Sequence, residues 1–321
     1  MDNKPLVAIH CITYNHEPYI REALEGFVMQ KTNFPFVAIV HDDASTDRTA
    51  EIMREYAEKY PDIIKPIYET ENQYSKRDGS LGRIMNAAID ATGAKYVAVC
   101  EGDDYWTDPL KLQKQVDFLE SHPDYSMCAT NSFILNENKT LYKSTNFVEN
   151  SKDISLEEII LRGGSFIETA TILIRSYFLK NIPYQNKNFH VGDFPLKIYM
   201  AYMGKVCILN DITTVYRINS NGSWTARHRK LIETTKGVKE YVNKDIYILK
   251  TMDILTEKKY SKVFNKRIVQ FSHYFYYKVS ALCELKLFLT YPCVMLKEIG
   301  IKEIFLGIIP YFIRNKILKI E

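Results

Sequence analysis

The chain has 321 residues, a length that suits one large domain with an appended region. Hydrophobic residues make up 46% of the sequence and charged residues 25%, which is ordinary for a globular protein. The net charge at pH 7 is only +3, so the composition gives no indication of nucleic-acid binding. Met1 to Pro5 lead directly into a predicted strand without a signal peptide, and we therefore expect a cytoplasmic protein.

Strands and helices alternate over the first 125 residues. This alternation predicts right-handed crossovers and a parallel sheet covered by helices on both faces. Gly82 is expected to open the third predicted helix and Gly93 to cap it. The predicted strands are 6–13, 36–41, 63–68 and 95–100, and the predicted helices are 16–30, 47–60, 82–91 and 109–121.

The pattern changes after Asp124, and from about Thr225 the sequence is predicted to be mostly helical. The loop 219–223 is a plausible domain edge. Between these points we predict strands at 126–135, 169–174, 206–209 and 213–217, and a helix at 193–203 closed by Gly204.

The tail from Lys286 onwards mixes apolar and basic residues. Its uncharged runs are about ten residues long, short of the ~20 needed to span a bilayer. Two interpretations stay open: an interfacial amphipathic segment, or a helical cap on the protein's own core.

Six cysteines are scattered along the chain, and none forms a C-x-x-C pair. This spacing argues against a zinc site and favours buried free thiols in a reducing compartment. The cysteines are Cys11, Cys100, Cys128, Cys207, Cys283 and Cys293.

Two acidic clusters each follow an apolar run, Asp42-Asp43 after 39–41 and Glu101-Gly102-Asp103-Asp104 after 97–100. In an open parallel sheet, ligands bind at the carboxyl ends of the strands, where these clusters would be neighbours. Clustered carboxylates repel unless a cation or a hydrogen-bonding group holds them, and Mg²⁺ or Mn²⁺ shared with a diphosphate would do so. The sequence thus predicts a nucleotide site without a P-loop.

These residues resemble the family 2 glycosyltransferases, whose nucleotide-binding domain has the GT-A fold. The resemblance covers about residues 5–125, with weaker features to about 225. The second acidic cluster is part of a longer motif, residues 101–109 followed by Lys111, Leu112 and Gln115. This longer motif resembles that of a bacterial subgroup that builds cell-surface polysaccharides. The four matching segments are 11–17, 40–47, 82–88 and 101–104.

The resemblance implies an α/β fold with a GT-A, Rossmann-like, mostly parallel sheet flanked by helices, and the sequence pattern adds a C-terminal helical extension. It implies a glycosyltransferase domain at 1–224, with a nucleotide-binding half at 1–125 and an acceptor half at 126–224. Residues 225–321 would form a helical region that either associates with a membrane or caps the core.

The resemblance also implies roles for residues on the nucleotide side. Thr13, Tyr14 and Asn15 would hold a pyrimidine base, and Asp42 would accept its imide N–H. Glu17 would reach the ribose or, alternatively, serve as a favourable first-turn helix charge. Asp43 and Asp47 would either have a role on the nucleotide side or be turn and cap residues. Arg83 and Asn86 would approach the base and diphosphate, although a solvated Arg83 is the alternative.

The second acidic cluster would hold the cation and the donor sugar. Asp103 is the expected ligand of Mg²⁺ or Mn²⁺. Glu101 replaces the family's usual Asp, so that its role could be to reach the ribose or the metal's water. With Gly102, Asp104 would orient the donor sugar or the acceptor. Trp106 either stacks on a sugar on the acceptor side or anchors the loop.

Transfer with inversion needs a base to deprotonate the acceptor hydroxyl. By resemblance Asp193 would be that base, although Gly192 replaces the family's usual Glu and an N-cap is the alternative role. His190 is a weaker alternative base. Glu168 and Thr169 would line the acceptor side, and Arg217 would clamp the donor diphosphate in a cleft that closes after binding.

The resulting hypothesis is an inverting, metal-dependent glycosyltransferase that uses a UDP- or dTDP-linked donor. Its acceptor would be a hydroxyl of a lipid-linked saccharide at the inner face of the cytoplasmic membrane, in cell-surface polysaccharide synthesis. One alternative is a catalytically degenerate, transferase-like scaffold. The other is a sugar-phosphate nucleotidyltransferase, which usually carries a Gly-rich loop that residues 13–17 lack.

Overall fold

The structure is a computed structural model that describes residues 4–180, 182–184, 189–218, 220, 223–277 and 280–308. The first part of the chain alternates strands and helices, as the sequence predicts. In chain order its elements are β1 (Val7–Thr13), α1 (Ile20–Val28), β2 (Phe36–Asp42), α2 (Thr49–Lys59), β3 (Ile64–Tyr68), α3 (Gln73–Lys76), α4 (Ser80–Thr92), β4 (Tyr96–Val99), β5 (Tyr105–Trp106) and α5 (Lys111–Ser121).

The first four strands form a parallel sheet in the order β3-β2-β1-β4. β1 is therefore flanked by β2 on one side and β4 on the other, and Thr13 is the register partner of Asp42. Because the strands run in one direction, the carboxyl ends of β1, β2 and β4 meet at the same edge. This edge carries both acidic clusters.

Side chains of β1 alternate between two apolar layers, because successive strand residues point to opposite faces. Val7, Ile9 and Cys11 belong to the layer that includes buried residues of α1, α2 and α5. Ala8 packs in the other layer with Met85 of α4. Burial on both faces explains why the sequences of these strands are continuous apolar runs.

The middle of the chain extends this sheet. Its elements are β6 (Tyr125–Leu135), β7 (Leu141–Lys143), β8 (Lys152–Ile154), α6 (Leu156–Arg162), β9 (Leu173–Arg175), α7 (Asp193–Met203) and β10 (Lys205–Arg217).

The sheet continues from β4 in the order β9-β6-β10-β5, with β7 paired to β6 and β8 paired to β10. β9 is antiparallel to both β4 and β6, whereas β10 is parallel to β6 and antiparallel to β5. The α/β class is confirmed, and the sheet is mixed beyond its first four strands.

Several boundaries differ from the prediction. The strands predicted at 206–209 and 213–217 are one strand, because register shifts absorb the polar residues between them. Residues 169–171, predicted as strand, form a 3₁₀ turn before β9. Gly82 lies inside α4, which begins at Ser80 after Gly79 adopts a φ of 80°. Gly93 caps this helix in the left-handed conformation, as predicted.

The chain folds into two compact units. The first contains the sheet. The described part of the second comprises residues 156–163, 189–198, 224–277 and 280–308. Its C-terminal portion is helical, as predicted, with α8 (Trp224–Leu231), α9 (Thr235–Leu255), α10 (Ser261–Tyr276), α11 (Ala281–Thr290), α12 (Pro292–Glu298) and α13 (Ile301–Ile308).

The tail helices pack on α10 through an apolar inner face, in which Leu287, Met295 and Ile304 cluster with Val269. The two interpretations of the tail stay open, and residues 309–321 lie outside the described residues. In the part of the chain that is described, no helix has the length and apolar character needed to cross a bilayer.

Candidate active site

Both acidic clusters are attached to the carboxyl end of β1 by backbone hydrogen bonds. The N–H of Gly102 donates to the Ile12 carbonyl over 3.0 Å, and the N–H of Asp43 donates to the Thr13 carbonyl over 3.0 Å. The first bond holds the loop after β4, and the second holds the end of β2. The sheet thus brings together the two clusters that the sequence predicted to be neighbours.

Gly102 lies where no side chain fits. A Cβ atom at this position would be 2.7 Å from the Thr13 Oγ1 atom and 3.0 Å from His16 Nδ1. The acidic loop can therefore approach β1 closely only because residue 102 is glycine.

Glu101, Asp103 and Asp104 form a compact group in which one carboxylate oxygen of each lies within 4.8 Å of the others. Glu101 is exposed, while Asp103 is 8% and Asp104 1% exposed. Burial and the neighbouring Asp103 charge raise the pKa of Asp104 well above its usual value. Among the described residues, Asp104 Oδ2 has no hydrogen-bond partner. A hard divalent cation fits this all-oxygen set and would supply the missing charge.

The end of β10 supports the acidic loop. The backbone N–H of Arg217 donates to Asp104 Oδ1 over 2.8 Å, and its guanidinium donates to the Asp103 carbonyl over 2.6 Å. The same guanidinium pairs with Glu22 and lies over the rings of Tyr19 and Tyr105.

These contacts give Arg217 a structural role beside the predicted one. Its side chain is only 8% exposed and is bound to protein groups. It therefore holds the acidic loop, and its role as a diphosphate clamp stays a prediction. The sequence motif gave no sign of the structural role, because the acidic loop that Arg217 contacts lies more than a hundred residues away in sequence.

Asp42 is 2% exposed at the end of β2, and its carboxylate accepts the Ser45 N–H over 3.3 Å. Burial is the main reason that the pKa of Asp42 is raised above its ordinary value. Beside it, Thr13 Oγ1 is buried and lacks a hydrogen-bond partner within the described residues. The Asp42 carboxylate and the Thr13 hydroxyl are thus two buried polar groups at this edge that a ligand such as a nucleobase could bind.

The loop after β1 is fixed to the loop after β2. Asn15, at a φ of 54°, accepts the Thr46 N–H on Oδ1 over 2.8 Å, and its own N–H donates to Ser45 Oγ. Tyr14 is 38% exposed, so its ring is available to a ligand.

Three other acids have backbone partners. Glu17 Oε2 accepts the Arg48 N–H over 3.1 Å, and Asp47 Oδ1 accepts the Thr49 N–H over 3.0 Å. Asp43 accepts two backbone N–H groups at the start of α3. These are the contacts of cap and turn residues, which agrees with that alternative for Asp43 and Asp47.

Arg83 and Asn86 are exposed on α4. The Arg83 guanidinium donates to the Asp78 carbonyl over 2.7 Å, and 65% of its side chain is exposed. Arg83 is thus a cation on the surface of this helix that a diphosphate could attract.

Trp106 has the contacts of a loop anchor. It is 2% exposed, its indole N–H donates to the Ala170 carbonyl over 2.9 Å, and its ring packs edge-on against Phe27. Stacking on a sugar would need an exposed ring, so the anchoring alternative is the one that these contacts fit.

A buried lysine of the extended motif, to which the sequence assigned no role, lies beside Trp106. Lys111 is fully buried, and its Nζ donates to Gln115 Oε1 over 2.6 Å and to the Thr171 carbonyl over 3.0 Å. Burial lowers its pKa to about 7. These bonds fix the 3₁₀ turn that begins at Thr169, and the preceding Glu168 accepts the Ser144 hydroxyl over 2.5 Å.

In the second unit, Asp193 is the first residue of α7, and 32% of its side chain is exposed. It accepts a hydrogen bond from Lys197, which is 1% exposed and lies one helical turn later. The sequence analysis did not identify this pair, although the i, i+4 spacing of Asp193 and Lys197 was the signal that could have predicted it. His190 Nε2 lies 3.0 Å from Asp245 Oδ1.

Residues 9–182, more than half of the chain, match the family model described as Glycosyl transferase family 2. Together with the mixed sheet and the acidic loop at its edge, this match defines the class of protein. The chain belongs to glycosyltransferase family 2.

The chain is also similar to curated relatives and to a solved structure. An uncharacterized protein of Mycobacterium bovis is 37% identical over 238 residues, which are 71% of this chain and 64% of that protein. The chain thus spans less than two thirds of this relative's length. A Bacillus subtilis protein named as a putative teichuronic acid biosynthesis glycosyltransferase, TuaG, is 33% identical over 116 residues, 36% of this chain and 42% of TuaG.

The structure of S. aureus TarS 1-349 superimposes with a TM-score of 0.55 at 17% sequence identity, covering 98% of this chain and 92% of TarS 1-349. The same protein has been solved in complex with UDP-GlcNAc. The fold is therefore GT-A-like.

Proposed function

We propose that this chain transfers a sugar from a UDP- or dTDP-linked donor to a hydroxyl of a lipid-linked saccharide, with inversion at the sugar carbon. Glu101, Asp103 and Asp104 would hold Mg²⁺ or Mn²⁺. Asp42 would accept the imide N–H of the pyrimidine, and Asp193 would take the proton of the acceptor hydroxyl.

The observation that carries this proposal is the acidic group at the carboxyl edge of the sheet. Its three carboxylate oxygens converge within 4.8 Å, and one buried oxygen of Asp104 has no hydrogen-bond partner in the described part of the chain. Three carboxylates this close repel one another unless a cation or a bound proton offsets their charge. A divalent ion there would neutralise the diphosphate as it leaves.

The neighbouring end of β1 and β2 supports a pyrimidine nucleotide as the carrier of the sugar. Asp42 and Thr13 are register partners, and both offer buried polar atoms at this edge. TarS, which shares the fold, binds UDP-GlcNAc. The exposed Tyr14 ring would cover one face of the base.

The name of TuaG supports a cell-envelope acceptor, and the surface of the tail helices supports contact with a lipid membrane. Leu282, Leu289 and Ile301 are each at least 70% exposed. Lys286 and Lys302 lie on the same helices, α11 and α13. Apolar side chains interleaved with lysines suit an anionic lipid surface.

Calorimetric titration of UDP with and without Mn²⁺ tests the nucleotide and cation assignments. We expect Mn²⁺-dependent binding, and we expect Asp103→Asn to weaken it by about 100-fold or more, since even outer-shell partners of metal ligands are worth 10–100-fold. Asp42→Asn should weaken UDP binding with or without Mn²⁺. Asp62→Asn, at a turn before β3, is the matched control and should bind as the wild type does.

Donor hydrolysis then distinguishes an enzyme from the degenerate scaffold. Hydrolysis of a UDP- or dTDP-sugar that requires Mn²⁺ and is lost in Asp103→Asn supports the transferase. UDP binding that is indifferent to Mn²⁺, with no hydrolysis of any donor, would contradict it and favour the scaffold.

A further inference from the structure

The segment that follows β10 contacts the acidic loop a second time, through Ser220. Its hydroxyl donates to Asp103 Oδ2 over 2.6 Å, and Ser220 is 7% exposed. A hydroxyl that donates to a carboxylate over this distance makes a charge-assisted hydrogen bond, which is short and directional. The bond therefore fixes the orientation of the Asp103 carboxylate.

Ser220 acts together with Arg217, three residues earlier. The Arg217 N–H binds Asp104 Oδ1, and Ser220 binds Asp103 Oδ2. One oxygen of each of the two buried carboxylates is thus held by this segment, while Asp104 Oδ2 has no partner among the residues described. The carboxylates of Asp103 and Asp104 are therefore oriented by two residues that are close in sequence, Ser220 and Arg217.

We propose that Ser220 is a positioning residue for the divalent cation. By holding Asp103 Oδ2, it orients the carboxylate so that Asp103 can share a cation with Glu101 and Asp104. The inference rests on the proposed function, because it concerns the cation of that site. Carboxylates that ligate metals are commonly hydrogen-bonded from outside, and loss of such a partner typically costs 10–100-fold in metal affinity.

The hydroxyl could have the opposite effect if it competed with the cation for Asp103 Oδ2. The two cases differ in sign. A positioning hydroxyl strengthens cation binding, so its removal weakens binding. A competing hydroxyl weakens cation binding, so its removal strengthens it.

Titration of Mn²⁺ in the presence of saturating UDP measures this sign. We expect Ser220→Val to raise the Kd for Mn²⁺ by about 10–100-fold. Ser220→Thr should keep the wild-type Kd, because Thr has the same shape as Val but retains the hydroxyl. Ser132→Ala, which removes a buried hydroxyl on β6, is the control and should leave the Kd unchanged.

A kinetic readout separates positioning from a general structural role. In Ser220→Val, saturating Mn²⁺ should restore the donor-hydrolysis rate, because the variant binds the cation weakly but holds it in the same site. An unchanged or lower Kd for Mn²⁺ in Ser220→Val would overturn the inference. If the wild type itself binds no Mn²⁺, the cation of the proposed function fails, and the role of Ser220 fails with it.

Discussion

The ammonium of Lys197 lies 2.7 Å from Asp193 Oδ2, one turn further along α7. The lysine side chain is 1% exposed, whereas 32% of the Asp193 side chain is exposed. A buried charge needs a partner, and this pairing holds the carboxylate at the start of the helix. The pair thus links the proposed base to a buried lysine of the same helix.

Asp193→Asn should reduce sugar transfer by about 10²–10⁴-fold, the usual contribution of a general base, while UDP binding is kept. It should also lower stability, because the buried Lys197 ammonium loses its carboxylate partner. Asp193→Asn/Lys197→Met should recover the stability but not the activity. Transfer kinetics and thermal unfolding of both variants check this, and substantial turnover in Asp193→Asn would eliminate it as the base.

Lys111 predicts a pH dependence of stability. Its pKa is about 7 in the folded protein because it is buried, while the unfolded chain keeps the ordinary value of 10.5. Between these values the unfolded state binds more protons, so the Lys111 contribution to stability rises with pH. The free energy of unfolding of the wild type, relative to that of Lys111→Met, should therefore rise by at most about 1.4 kcal/mol per pH unit above pH 7. Urea unfolding at pH 6.5, 7.5 and 8.5 measures the difference, and a constant difference would show that Lys111 does not titrate there.

Gly102 and Gly82 form a matched pair of glycines. A Cβ atom at residue 102 would lie 2.7 Å from the Thr13 side chain, whereas at residue 82 it would meet nothing within 4 Å. Gly102→Ala should therefore displace the acidic loop and abolish Mn²⁺-dependent UDP binding. Gly82→Ala, inside α4, should keep binding and stabilise the protein by about 0.4–1 kcal/mol. Calorimetry and unfolding curves of both variants test this, and normal binding by Gly102→Ala would show that the loop tolerates the side chain.

The outer face of α11 should bind anionic vesicles. Leu282 and Leu289 are seven residues apart, on one face of the helix, and are 73% and 70% exposed. Leu282→Ser/Leu289→Ser should reduce co-sedimentation with phosphatidylcholine–phosphatidylglycerol vesicles by about tenfold or more. Ile254→Ser, at a 65% exposed position on α9, is the control. If the wild type, the double variant and Ile254→Ser bind vesicles equally, α11 is excluded as the helix that contacts the lipid.

The apolar runs in the sequence predicted the first four strands to within about one residue, because burial on both faces leaves little choice of register. The acidic clusters were also predictable as neighbours, since parallel strands end at one edge of the sheet. The predicted break inside β10 was wrong, because a polar residue pair can be absorbed by a bulge as well as by a turn.

The roles of individual side chains were harder to predict. Arg217 is bound to Glu22 and to the acidic loop, contacts that depend on how distant segments pack together. Trp106 packs on Phe27, and Lys111 on the turn at 169–171. A motif gives the identity and order of such residues, but their exposure follows from tertiary packing.

The cysteines differ in exposure, and this difference allows selective chemical labelling of the native chain. Cys293 is exposed on α12, whereas Cys11, Cys100, Cys128 and Cys207 are buried and Cys283 is half-buried. Burial also raises the pKa of the Cys100 thiol well above its usual range, which further lowers its reactivity. A maleimide fluorophore should therefore label Cys293 first, without any engineered substitution. Attached one helical turn from Leu296, the dye would report the approach of these helices to lipid.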